Sequence, residues 1–272
     1  MTPTVGQALA QAGLVPLDAQ VLLAFVAGKD RAWLVAHRND PLSRADADTF
    51  FALAKRRRDG EPVAYLTGAR EFWGLPLAVT PDVLIPRPET ETLVELALER
   101  LPRDRALHVL DLGTGSGAIA LAIASERPRL HVIATDRSAD ALDVARANAQ
   151  RLGIGNSEFV RSDWYASVGA NRFDVIVSNP PYVADADPHL TEGDVRFEPV
   201  AALASGRDGL AALRIIVAGA RDHLAPTGTL LVEHGHDQAA AVVQLFRAAG
   251  FGDIVTRRDL AGISRVVAGR VG

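Results

Sequence analysis

From Leu107 onward, short apolar runs that predict strands alternate with longer segments that predict helices. This alternation is typical of a parallel, doubly wound sheet with helices on both faces. The link from 257 to 263 between the last two strands is too short for a parallel crossover, so these strands should form an antiparallel hairpin. The predicted strands are 107–112, 131–135, 158–162, 173–178, 229–233, 251–256 and 264–268, and helices are predicted near 117–126, 138–152, 208–224 and 236–249.

The N-terminal region predicts helices and contains no strand pattern. One helical segment has Pro16 at its start and Gly28 at its end. Another begins at Ser43, a capping residue, and has the basic cluster 55–58 near its end, where positive charge complements the helix dipole. We therefore interpret that cluster as a solvated helix end rather than a nucleic-acid patch. The expected organisation is a small all-α domain over 1–70, an extended linker or hairpin over 71–88, and an α/β sheet domain over 89–272.

Composition limits the classes of function. The chain has 272 residues, 48% apolar and 23% charged, as in ordinary soluble proteins. The absence of cysteine excludes disulfides, thiolate catalysis and cysteine-ligated zinc. A net charge of −4 disfavours a broad nucleic-acid surface. With neither a signal-peptide pattern nor a membrane-length apolar run, we expect a cytoplasmic protein that has no membrane partner. We also expect a monomer with no direct nucleic-acid partner.

A glycine-rich turn follows the first strand of the predicted sheet. Glycines let a ligand approach the backbone, and ligands of open α/β sheets bind at the carboxyl ends of the strands. The next strand is followed by Asp136, whose carboxylate can accept hydrogen bonds from both ribose hydroxyls. NAD and S-adenosylmethionine both satisfy this pattern. The candidate cofactor residues here are those of the turn and the aspartate two residues before it, namely Asp111, Gly113, Thr114, Gly115, Ser116 and Gly117.

Two details favour S-adenosylmethionine. The spacing is Gly-x-Gly-x-Gly rather than the dinucleotide arrangement, and the nearby Asp111 suits a cationic ligand that has no pyrophosphate. Asp163 and Trp164, after the third strand, can frame an adenine with a carboxylate for its amino group and an indole against its face. Singly, these residues also fit helix caps or the core. Their recurrence at three strand ends favours a cofactor site.

Asn179, Pro180, Pro181 and Tyr182, here called the Asn-Pro-Pro-Tyr segment, directly follow the apolar run 173–178. The Asn179 side-chain oxygen and the Pro180 carbonyl can accept the two N–H groups of a planar amide or amine, and the prolines restrict the backbone. Tyr182 can stack on the planar group. These features predict catalytic roles for Asn179, Pro180 and Tyr182, and substrate binding by all four residues. Glutamine side chains, adenine N6 and cytosine N4 all fit such a segment.

Further motifs narrow the choice. The chain resembles the bacterial release-factor glutamine methyltransferases, the HemK/PrmC family, over nearly its whole length and more loosely over its first sixty residues. The segments that carry the resemblance are 61–68, 71–73, Ile85-Pro86-Arg87-Pro88-Glu89-Thr90-Glu91, 111–117, 162–164, 179–182, 193–199 and 233–235.

The resemblance implies a seven-stranded Rossmann-like methyltransferase sheet and an N-terminal domain that helps to dock the substrate. The implied reaction is transfer of a methyl group from S-adenosylmethionine to the glutamine N5 in the Gly-Gly-Gln motif of class-1 peptide-chain release factors. By position, Gly113 to Gly117, Asp136, Trp164 and Asn179 would contact the cofactor. Arg87 and Glu89 would shape the lid or opening of the site. The turn at 259–265 is less polar than in many family members.

Several alternatives remain open at this stage. A related family methylates glutamine in a ribosomal protein and shares the Asn-Pro-Pro-Tyr segment. A nucleic-acid adenine N6 methyltransferase would need a basic groove and a base-holding insertion. A nicotinamide dehydrogenase and a non-enzymatic cofactor-binding scaffold each leave the segment without a role. His234 and His236 have too few neighbouring ligands in sequence to indicate a metal site.

Overall fold

The computed structural model describes residues 2–272, which divide into two compact units. Residues up to Ala69 form the first unit together with the remote segment Glu192–Phe197. Arg70–Thr191 and Glu198–Gly272 form the second unit. The sequence placed residues 192–197 in the sheet domain, whereas the structure groups them with the helical unit. The proposed boundaries at residues 70 and 88 stay predictions.

The first unit is helical. Ser43 caps the fourth helix by accepting a hydrogen bond from the Asp46 backbone N–H at 3.0 Å, as its position before the helix indicates. Leu22, Leu23 and Phe50 are fully buried in its core. The helices are α1 (Val5–Gln11), α2 (Pro16–Ala27), α3 (Arg31–Ala36), α4 (Arg44–Arg58) and α5 (Val63–Thr67).

Members of the basic cluster bond to other parts of the first unit and are not merely solvated. Arg57 is 21% exposed, and its guanidinium donates to the carboxylates of Asp18 at 2.7 Å and Asp194 at 2.5 Å. The Arg196 guanidinium donates to the Asp59 carbonyl. Through these hydrogen bonds, the end of α4 holds the segment 192–197 in the first unit.

The second unit begins at Arg70, inside β1 (Ala69–Phe72), which forms a hairpin with β2 (Leu75–Ala78). The hairpin turn residues Trp73 and Gly74 both have positive φ. Across residues 2–272, no helix has the length and apolar character to cross a membrane. The remaining helices are α6 (Glu91–Leu98), α7 (Ala118–Glu126), α8 (Ala139–Leu152), α9 (Ala211–His223) and α10 (Ala239–Ala248). The remaining strands are β3 (His108–Leu112), β4 (His131–Asp136), β5 (Ser157–Arg161), β6 (Phe173–Ser178), β7 (Leu224–Glu233), β8 (Gly252–Arg258) and β9 (Ser264–Arg270).

These seven strands form one sheet in the order β5-β4-β3-β6-β7-β9-β8. Strands β3 to β7 are parallel, and β9 is antiparallel to both β7 and β8. The predicted doubly wound α/β fold with an antiparallel C-terminal hairpin is therefore confirmed. The chain winds outward from β3 through β4 to β5, and then returns to the other side of β3 with β6.

Alternate residues of the central strands enter two separate cores, one on each face of the sheet. In β3, Val109 lies in the core that contains α6 and α7, whereas Leu110 lies in the core that contains α9 and α10. The same alternation places Val175 and Ile176 of β6 in opposite cores. Helices cover both faces, which explains why these strands are almost continuously apolar.

Asn148 on α8 is a fully buried polar residue that ties three parts of the second unit together. Its side-chain oxygen accepts from the Ala78 N–H at 2.7 Å, and its nitrogen donates to the carbonyls of Ala78 and Ser116 at 3.0 Å. One side chain thus joins β2 to the glycine-rich turn. Removing it would leave one buried backbone group, at Ser116, and two partly buried ones, at Ala78, without this partner; a buried group left unpaired costs about 1–3 kcal/mol.

We expect Asn148→Ala to lower the free energy of unfolding by about 2–4 kcal/mol, because several buried hydrogen bonds disappear together. Denaturant unfolding measured by circular dichroism checks this value. Gln150→Ala is the matched control on an exposed position of the same helix, with an expected change within about 0.5 kcal/mol. Equal stabilities of the two variants would contradict the assignment.

Candidate active site

A cavity of about 370 Å³ opens at the carboxyl ends of β3, β4 and β6, beside the point where the winding direction reverses. This volume lies in the range of small-molecule sites. Most of the residues predicted from sequence line it, namely Gly113, Thr114, Gly115, Ser116, Asp136, Asp163, Trp164, Asn179 and Pro181. Four predicted residues lie outside the lining: Asp111, Gly117, Pro180 and Tyr182.

The glycine-rich turn borders the cavity at Gly115. Its φ is +55°, and a Cβ placed there would meet no atom within 4 Å, so a ligand can approach the backbone closely. The Gly115 N–H donates to one Asp136 carboxylate oxygen at 3.0 Å, and the Ser138 N–H donates to the other at 2.9 Å. Asp136 therefore joins the loops after β3 and β4, while its oxygens keep further lone pairs for a ligand.

Asp111 and Gly117 support this turn from inside the protein. Asp111 is fully buried, and its carboxyl accepts a hydrogen bond from the Thr114 hydroxyl at 2.6 Å. Burial raises the pKa of Asp111 to about 7, and the Asp136 charge adds to the rise, against hydrogen bonding from Thr114. At Gly117, φ is +84°, and a Cβ would lie about 3 Å from Leu121 and Ala145 (3.1 and 3.2 Å), so this glycine permits close packing at the start of α7.

Trp164 lies in the loop after β5 with a φ of +49°, an uncommon conformation for a large side chain. The Ser162 hydroxyl fixes the loop by donating to the Trp164 carbonyl at 2.8 Å and accepting from the Ser167 N–H at 2.9 Å. The ring lies near Gly113, since a Cβ on that glycine would be 3.6 Å from it. Trp164 thus lies beside the glycine-rich turn on the cavity lining, and its framing of an adenine stays a prediction.

A chain of polar side chains extends from the cavity into the protein behind Asn179. The Asn179 Nδ2 donates to the hydroxyl of Thr90 at 3.1 Å. The buried carboxyl of Glu233 lies next to Thr90, and its Oε1 accepts a hydrogen bond from the Tyr182 hydroxyl at 3.2 Å. Tyr182 is thus engaged behind the cavity, and its predicted stacking on the substrate stays a prediction.

Glu233 is an internal acid surrounded by charged neighbours. Burial raises its pKa to about 7, opposed by the neighbouring hydroxyls of Thr90 and Tyr182 and by the positive charge of Arg265, while the Glu89 carboxylate raises it further. The structure therefore gives Glu89 an electrostatic role beside Glu233, which the sequence did not supply.

Arg87 forms part of the cavity wall and is held there by Glu198. The Glu198 side chain is fully buried, accepts from the Ile85 N–H at 3.1 Å and pairs with the Arg87 guanidinium. Because an isolated buried carboxylate would be very unfavourable, this pair fixes the segment around residue 86 against the segment around residue 199. The structure thus supplies a physical reason for Arg87 to border the site.

The histidines near the end of β7 form no ligand cluster. The ring Nδ1–H of His234 donates to the adjacent Gly235 carbonyl at 2.7 Å, and burial lowers the pKa of His234. Within the described part of the chain, no three histidine or acidic side chains are grouped as metal ligands would be.

The sheet order, the antiparallel β9 and the glycine-rich turn beside the cavity define a Rossmann-like methyltransferase. Consistent with this class, residues 90–195 match the family described as methyltransferase small domain, and residues 5–68 match the PrmC N-terminal domain. A solved structure titled ribosomal protein L11 methylase, from Lactobacillus delbrueckii subsp. bulgaricus, shares the fold with a TM-score of 0.52 and 23% identity; the match covers 70% of this chain and 82% of that one.

Two relatives identify the family. The release factor glutamine methyltransferase of Burkholderia pseudomallei is 54% identical over 98% of this chain and 96% of its own length. The protein of the same name from Escherichia coli is 50% identical over 93% of this chain and 91% of its own length. The chain belongs to the release factor glutamine methyltransferase family, as its motifs predict.

The raised pKa of Glu233 makes stability depend on pH. The folded protein retains the Glu233 proton up to about pH 7, whereas the unfolded chain loses it near pH 4.5. The stabilisation of the folded state by this proton is therefore complete below pH 4.5 and is lost as the pH rises to 7. Glu233→Gln removes this titration. Its free energy of unfolding relative to the wild type should rise by up to about 3 kcal/mol between pH 4.5 and 7.5 and then stay level.

Denaturant unfolding of both proteins across this pH range tests the prediction. Taking the difference between them cancels the titrations that the two proteins share, including that of Asp111. A constant difference between the two curves would show that Glu233 does not titrate in this range.

Proposed function

We propose that this protein transfers a methyl group from S-adenosylmethionine to the side-chain amide nitrogen of the glutamine in the Gly-Gly-Gln motif of class-1 peptide-chain release factors. The main support is the 54% identity, over almost the whole chain, to a protein named release factor glutamine methyltransferase. The position of the Asn179 amide on the cavity wall supplies the matching chemistry.

The cavity fits the cofactor in the character of its walls. S-adenosylmethionine supplies a methyl group on a positively charged sulfur, which departs as a neutral sulfide. Gly115 leaves open space beside the backbone, Asp136 offers carboxylate oxygens for ribose hydroxyls, and Trp164 offers an aromatic face. Asp163 is exposed on the cavity lining, where its carboxylate can accept from an adenine amino group. Asp111 acts indirectly, through Thr114.

The Asn-Pro-Pro-Tyr segment prepares the acceptor nitrogen. An amide nitrogen is a poor nucleophile because its lone pair is delocalised into the carbonyl, so orientation is a large part of catalysis. Asn179 Oδ1 and the Pro180 carbonyl would accept the two N–H groups, with the prolines fixing the geometry beforehand. Such positioning contributes up to about 7–11 kcal/mol relative to free reactants.

The acceptor is a protein side chain in this proposal rather than a nucleic-acid base. A net charge of −4 is unfavourable for phosphate-rich ligands. The PrmC N-terminal domain at residues 5–68 offers a second unit, beyond the catalytic one, with which to bind a protein. We therefore assign it a role in docking the release factor.

The decisive experiment measures transfer of labelled methyl from S-adenosylmethionine to purified release factor, with the Gly-Gly-Gln glutamine intact or replaced by alanine. Ribosomal protein and DNA are incubated in parallel. Label that requires this glutamine supports the proposal. Label only on ribosomal protein or only on DNA would instead assign the protein to one of the alternative substrates.

Asn179→Ala should retain the fold and most of the affinity for cofactor while turnover falls by at least about 10²-fold, as when one preorganised hydrogen-bonding group is removed from a transition state. Calorimetry of cofactor binding and the methyl-transfer assay measure the two effects separately. Asn171→Ala, at an exposed position of the same unit, is the control and should match the wild type. Near-normal turnover by Asn179→Ala would overturn the mechanism.

A further inference from the structure

The orientation of the Asn179 amide decides whether the site can bind a glutamine side chain. An asparagine amide presents either an acceptor oxygen or a donor NH2 group, and the two orientations have almost the same shape. The substrate nitrogen carries two hydrogens. Facing it with the asparagine NH2 group would place donor against donor, so only the orientation with Oδ1 toward the substrate is productive.

Thr90 contacts the other end of this amide. It is 4% exposed and lies in the short 3-10 helix Pro88–Thr90, just before α6. Its hydroxyl accepts from Asn179 Nδ2 at 3.1 Å, which leaves Oδ1 as the amide atom available to a ligand. A hydroxyl has one hydrogen to donate, so its behaviour toward Asn179 depends on where that hydrogen goes.

Thr90 also lies next to the buried carboxyl of Glu233. An ionised carboxylate only accepts hydrogen bonds, so a Thr90 hydrogen turned toward Glu233 leaves the Thr90 oxygen to act toward Asn179 as an acceptor. Nδ2 is the only amide atom that can donate to that oxygen, as the 3.1 Å contact has it.

We propose that Thr90 is a positioning residue, whose hydroxyl holds the Asn179 amide with its oxygen toward the methyl-accepting nitrogen. This inference rests on the proposed function, since it assumes an acceptor with an NH2 group. Thr90 belongs to the Ile-Pro-Arg-Pro-Glu-Thr-Glu sequence, 89 residues before Asn179, and the contact assigns that sequence a direct task in orienting the catalytic amide.

Thr90→Val and Thr90→Ser provide a matched pair of variants. Valine keeps the shape and removes the hydroxyl, whereas serine keeps the hydroxyl and removes a methyl group. With release factor as substrate at about pH 8, Thr90→Val should reduce kcat by about 10–100-fold, since a misplaced catalytic group costs up to about 10² in rate. Thr90→Ser should stay within about 3-fold of the wild type, and the calorimetric Kd for S-adenosylmethionine should change little in either variant.

A double-mutant cycle separates positioning from a general structural effect. In the Asn179→Ala background, Thr90→Val should cause less than a 2-fold further loss of kcat, because the amide it orients is already gone. Multiplicative losses would overturn the inference, as would wild-type kcat in Thr90→Val or a loss in Thr90→Ser equal to that in Thr90→Val.

The proposed function is tested separately by the wild-type arm of the same assay. A wild-type protein that leaves the release-factor glutamine unlabelled would overturn both the proposed function and this inference. Labelling by the wild type together with unaltered Thr90→Val would overturn the inference alone.

Discussion

The arrangement of the cavity depends on the reversal of winding at β3. Because β4 and β5 extend the sheet to one side and β6 and β7 extend it to the other, the loops after β3 and β6 diverge and leave a crevice at their carboxyl ends. This reversal brings the glycine-rich turn, Asp136 and Asn179 to a single opening, although 66 residues separate Gly113 from Asn179. Neither half of the sheet would form this site alone.

Buried polar side chains then convert the crevice into a defined site. Asn148 holds the glycine-rich turn, Glu198 holds Arg87, and Glu233 stands behind Thr90 and Asn179. Placing a carboxyl group in the interior destabilises its charged form, and in return its hydrogen-bond partners acquire a fixed direction. These contacts therefore hold side chains of the cavity wall in place where orientation matters most for the proposed reaction.

Sequence patterns predicted the sheet, its C-terminal hairpin and the lining residues at the glycine-rich turn and the strand ends, because periodicity, glycine turns and strand ends are local features. They missed the supporting residues, because those residues act through distant partners. Asn148 bonds to Ala78, 70 positions away, and Glu198 bonds to Ile85 across 113 positions. In the sequence, Thr90 stood out only as one residue of a family motif, with no role assigned to it. Its contact with Asn179, a residue that the sequence did predict, became visible only in the fold, since no local pattern connects a 3-10 helix to the end of β6.

The segment 192–197 has a consequence for synthesis of the chain. The first unit is formed mainly by the N-terminal helices, yet Asp194, which forms an ion pair with Arg57, lies 137 residues further along the chain. At roughly 5–20 residues per second, a ribosome needs on the order of ten seconds to make that stretch. During this interval the nascent helical unit lacks the segment 192–197. Of the two carboxylates that pair with Arg57 in the described part of the chain, Asp18 alone has been made. Completion of the N-terminal unit is therefore coupled to translation of the later part of the protein.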